Sequence, residues 1–65
     1  MKNVYTTRAI ALYNLGVEHE YISELGLALD RFNDAIEIIN EQLEGEPSMI
    51  KLVSDAKKGI QAKIT

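Results

Sequence analysis

The chain has 65 residues, 46% apolar and 26% charged, with one histidine, no cysteine and a net charge of −3. Such a balance excludes a disordered chain and, without cysteine, any disulfide framework or thiol chemistry, while a lone histidine leaves few ways to build a metal site. A chain this short hides only about 60% of the surface it exposes when unfolded, so it makes one small domain with a thin core.

Met1 to Tyr5 is expected to be a frayed lead-in, with Thr6 or Thr7 capping a first helix that runs to about Tyr21. Its apolar residues Ile10, Leu12, Tyr13, Leu15, Val17 and Tyr21 cover more than one stripe, which suits a helix with neighbours on two sides. Gly16 in mid-helix costs about 1 kcal/mol relative to alanine, and the close approach of another helix would explain it. His19 is expected to be half-buried and bonded to a backbone group; Glu18 and Glu20 point away from it, so no catalytic set of serine, histidine and acid forms.

Ile22-Ser23-Glu24 makes a turn in which Ser23 is placed to cap the second helix. From Glu24 to about Leu43 the apolar residues Leu25, Ala28, Leu29, Phe32, Ala35, Ile36, Ile39 and Leu43 recur at steps of three and four, the strongest helical pattern in the chain. Asp30, Asp34, Glu37, Glu41 and Glu44 line its other face. A straight helix face lacks the cleft that acid/base chemistry needs and the oxygen cage that calcium needs, so the row is read as solvated.

Gly45-Glu46-Pro47 ends the second helix, since glycine accepts a left-handed cap and proline cannot continue a helix. A third helix follows from Ser48 to Ile64, with Met49, Val53, Ala56, Ile60 and Ile64 on one face. Helices are therefore predicted near 6–21, 24–43 and 48–63, in an antiparallel array. Charge divides with them: residues 1–46 carry Lys2, Arg8 and Arg31 against nine acids, and residues 47–65 carry four lysines against Asp55. No cation stripe is dense enough to displace phosphate counterions from nucleic acid, and no apolar run reaches signal-peptide or membrane-spanning length. The isolated glycines form no phosphate loop. No catalytic residue, cofactor or metal is predicted, and the chain is read as non-catalytic and intracellular.

With Ala9 as a starting point, Leu15-Gly16, Ala28, Phe32 and Ala35 fall at the packing positions of the tetratricopeptide (TPR) repeat, a helix-turn-helix unit of about 34 residues. The chain resembles that family over residues 9–42, and Tyr13-Asn14 stand where the family often has the same pair. His19 replaces a usual tyrosine, Ser23 a usual glycine, and Asn40 a common proline. The delayed Pro47 is similar to the extended variant found in kinesin light chains and related cytoskeletal and ciliary adaptors. The resemblance implies an all-α fold, a single TPR-like domain over residues 1–65 with one repeat and a capping helix at 48–64, in effect a short piece of α-solenoid.

It also implies a function: a cytoplasmic protein–protein interaction or scaffold module, whose first helix presents Ile10, Tyr13, Asn14, Val17 and Tyr21 to a partner's peptide or helix. Asn14 matches an asparagine that chaperone-binding members use to hold a terminal carboxylate, but Ile10 and Tyr13 stand at their lysine places, which disfavours a chaperone tail. The alternative is a structural brick that docks in a larger assembly or associates with further copies of itself, with the lysines of the third helix against the acids of the second. Tyr13 and Tyr21 then have two expected positions, in a binding groove or packed on Val53 and Ile60.

Overall fold

The structure, a computed structural model, describes residues 2–64, with side chains from Val4 onward. It is all-α: α1 spans Lys2–Tyr21, α2 Leu25–Gln42 and α3 Pro47–Ile64. Helices of this length measure about 27–30 Å, so in a body of 36 × 17 × 14 Å they run along one long axis. α2 is the middle element, because α1 and α3 each pack along it and barely touch one another.

The core follows from the pattern of α2. Ala28, Phe32, Ala35 and Ile39, spaced four, three and four apart, are all fully buried. Ala9 of α1 and Val53 and Ile60 of α3 close on them from the two sides. Gly16 is also buried, and the reason is geometric: a Cβ placed there would lie 2.5 Å from Cε1 and 2.8 Å from Cδ1 of Phe32. The expected close approach at Gly16 is therefore made by the ring of Phe32 itself, which α1 can accept only where it has no side chain. The ring of Tyr13 leans on the same phenyl group, with centroids 5.8 Å apart and the planes tilted by 41°.

The ends of the helices differ from the sequence reading in five places. α1 begins at Lys2, so Thr6 and Thr7 lie inside the helix and cap nothing; no glycine or proline stands before them to stop helical growth. Ser23 is not the cap of α2 either. It adopts φ 65° and closes α1, its N–H donating to the carbonyl of Glu20 at 3.0 Å while the N–H of Glu24 donates to that of His19 at 2.8 Å. This paired closure satisfies carbonyls that would otherwise be orphaned, and its left-handed residue explains why glycine suits the position.

At the end of α2 the left-handed conformation expected of Gly45 (φ 64°) is shared by Glu44 (φ 57°), and the Ile39 carbonyl accepts N–H groups from both Leu43 and Gly45, at 3.1 and 2.9 Å. Pro47 does not merely stop α2: it is the first residue of α3, where its missing N–H costs nothing and its fixed φ is already helical. Glu46 caps that helix, with Oε1 accepting from Ser48 N–H at 3.2 Å and Oε2 from Met49 N–H at 2.9 Å. Ile64, expected on the buried face of α3, is 53% exposed at its last turn.

Two glycine substitutions should have opposite signs. Gly16→Leu must displace a buried phenyl ring and is expected to cost about 1–3 kcal/mol by overpacking. Gly59→Ala meets nothing within 4 Å and should stabilise by about 0.5–1 kcal/mol through helix propensity. Urea unfolding followed by circular dichroism checks both, and a neutral Gly16→Leu would show that the ring does not lie where it is placed.

Candidate functional site

On α1 the predicted partner-facing residues lie on the flank that turns towards α3. Ile10 is 46% and Val17 42% exposed, Tyr21 is 88% exposed, and Asn14 is exposed beside them. Tyr13 differs, being half-buried against Phe32. The structure thus separates two tyrosines that the sequence treats alike. Tyr13 packs at the edge of the core cluster to which Val53 and Ile60 belong, with its ring on that of Phe32, whereas Tyr21 stands in solvent and takes no part in that core.

α1 and α3 run in the same direction, and the channel between them is marked at each end. At one end Thr6 faces Glu46, Pro47 and Met49 across a depression that also touches Leu43. At the other, Val17, Glu20 and Tyr21 share a depression with Ser23 and Lys63. There the Lys63 ammonium donates to Glu20 Oε2 at 2.7 Å, joining the last turns of α1 and α3. That pair spans 43 residues of sequence, and no local pattern could have announced it.

The other residues expected to carry the repeat packing behave unequally. Gly16, Ala28, Phe32 and Ala35 are buried as predicted, but Leu15 is 44% exposed and packs into no core of this chain. Its side chain leaves α1 on the flank away from α3. His19 is indeed half-buried, yet its partner is a carboxylate and not a backbone group: Nδ1 lies 3.0 Å from Oε1 of Glu24. This contact bridges the α1–α2 turn beside the backbone bond from Glu24 N–H to the His19 carbonyl.

The acidic row of α2 is exposed throughout, with Asp34 Oδ2 standing 3.4 Å from Arg31 Nη2. Among the described residues no group of three or more histidines, cysteines or acids is arranged to hold a metal ion, and no helix is long and apolar enough to cross a membrane. No family model, curated protein or solved structure matches the chain.

The different placement of the two tyrosines has a direct measure. Tyr13→Ala removes a ring from the edge of the core and should cost about 1–3 kcal/mol, whereas Tyr21→Ala should change stability by less than about 0.5 kcal/mol. Thermal melts of the two variants read the difference, and equal losses would put Tyr21 in the core after all.

Proposed function

We propose that the chain is a non-catalytic protein–protein interaction module of the TPR kind, one repeat closed by a capping helix, whose α1–α3 channel receives a peptide or helix of a partner. One observation carries this reading: Ile10, Val17 and Tyr21 remain exposed along the flank that borders the channel, although a core this thin has every reason to use them. Apolar side chains held at three- and four-residue steps on a rigid helix suit an amphipathic segment. Tyrosine adds a large contact area with a polar tip and little rotamer entropy to lose. Asn14 supplies an amide at the rim for the backbone of the bound segment.

The resemblance to the extended repeats of kinesin light chains makes cytoplasmic cytoskeletal or ciliary complexes the first place to seek that partner. A second reading, the structural brick, draws on different residues. Val4, Leu15, Ile22 and Leu27, between 44% and 58% exposed, lie apart from the channel and leave a second apolar surface that a peptide in the channel would not cover.

A random peptide library displayed on phage and selected against the chain tests the first reading. Selected peptides should be apolar and aromatic, and Val17→Ala and Tyr21→Ala should each weaken their binding by about tenfold, roughly 1.4 kcal/mol, without lowering the melting temperature. Failure to select any peptide, or selection of peptides indifferent to both changes, would leave assembly as the function.

A further inference from the structure

The face of the α1–α2 hairpin turned away from α3 carries two stripes. Along α1 and into the first residue of the turn after it, Val4, Ala11, Leu15 and Ile22 follow one another at steps of seven, four and seven, all exposed. On α2, Leu27, Arg31, Asp34 and Ile38 follow at steps of four, three and four, with a crevice between Leu12 and Ile38 joining the two stripes. Both stripes are palindromic. Turned end over end, the α1 stripe sets Val4 against Ile22 and Ala11 against Leu15, about a midpoint at residue 13. The α2 stripe sets Leu27 against Ile38 and Arg31 against Asp34, about a midpoint between residues 32 and 33.

Those midpoints are level with each other, because the ring of Tyr13 rests on that of Phe32. A single two-fold axis, crossing the hairpin at the Tyr13–Phe32 contact, therefore serves both helices at once. From this geometry we infer that the face is a self-complementary interface for a second copy of the chain, in which α1 lies antiparallel on α1 and α2 antiparallel on α2. Apolar residues then meet apolar ones, and each Arg31 meets Asp34 of the second copy. A contact between identical chains related by a two-fold axis requires this symmetry of its surface; a foreign partner imposes none.

Two further observations agree. Within one chain Arg31 reaches Asp34 only through a long Nη2–Oδ2 contact of 3.4 Å, and its side chain stays about one-third exposed, so the end of the guanidinium can turn to a carboxylate opposite. Two helices about 27–30 Å long and ~10 Å wide present roughly 500–600 Å² in projection. Ruffled by side chains, this is comparable with the ~800 Å² that each partner hides in a specific interface. The interface gives the assembly reading a definite shape and does not depend on whether the channel binds a peptide.

Sedimentation equilibrium of the full chain over a wide concentration range should show a species of twice 7.3 kDa and nothing larger. Leu15→Glu and Leu27→Glu, at positions already 44% and 45% exposed, should each weaken the dimer about 30-fold or more, as loss of an interface hot spot does. Tyr21→Ala, in the channel, should leave it unchanged. The charge reversals R31D and D34R test the register: each alone should be monomeric at concentrations where the unaltered chain pairs, and an equimolar mixture of the two should dimerise. A monomer at every concentration, masses that keep growing past two copies, a dimer insensitive to both leucine changes or a mixture that stays monomeric would each overturn the proposal, as would dissociation by Tyr21→Ala.

Discussion

A phenyl ring pressed against bare backbone sets the geometry of this protein. Phe32 is fully buried, and it reaches that state by lying over Gly16, so the separation of α1 and α2 is fixed by the thickness of one aromatic ring. Dispersion contacts fall off steeply with distance, and a gap of half an ångström already forfeits much of their worth. The glycine, unfavourable for an isolated helix, is therefore offset by packing that no larger residue would permit. Tyr13 continues the same stack outward, which makes the level of Phe32 the reference height of the whole hairpin.

Around that contact the chain reverses direction twice within a few residues, and each reversal uses side chains or conformations suited to carry it. Ser23, Glu44 and Gly45 occupy left-handed backbone, where a residue with a Cβ is strained by about 1–2 kcal/mol. The strain is tolerated because the same geometry delivers amide donors to the open carbonyls of the preceding helix. Glu46 does the converse for α3, offering both carboxylate oxygens to amides at the positive end of the helix. His19 and Glu24 clamp the first turn from outside. Such local closures let two connections of only a few residues hold helices whose shared core is small.

How much of this was legible depended on whether the cause was local. The helices and the buried stripe of α2 could be read because periodicity records burial directly: Ala28, Phe32, Ala35 and Ile39 are apolar at successive turns and all are hidden. Gly16 was legible as an anomaly that needed a neighbour. The start of α1 was not, because two threonines resembled a cap and nothing in the preceding residues signalled that the helix had already begun. Pro47 carries one signal with two meanings, a stop for one helix and a start for the next. Leu15 and Tyr21 are apolar residues on a helix with apolar residues on several sides, and pattern alone cannot say which of those sides finds a neighbour. The Glu20–Lys63 contact joins residues 43 positions apart in the chain and depends on the assembled fold.

The position of α2 between its neighbours gives that helix a part beyond supplying the core. Since α1 and α3 lean on α2 and scarcely on each other, the width of the channel between them is not set by contacts within the channel. It is gauged from behind, by the bulk of the α2 side chains on which each outer helix rests, with the ion pair at Lys63 acting as a loose clasp between exposed charged groups. α2 thus works as a spacer. Altered volume at Ala35 or Ile36 would be felt across the helix as a wider or narrower opening, so the shape of the surface between α1 and α3 is governed in part by residues that do not line it.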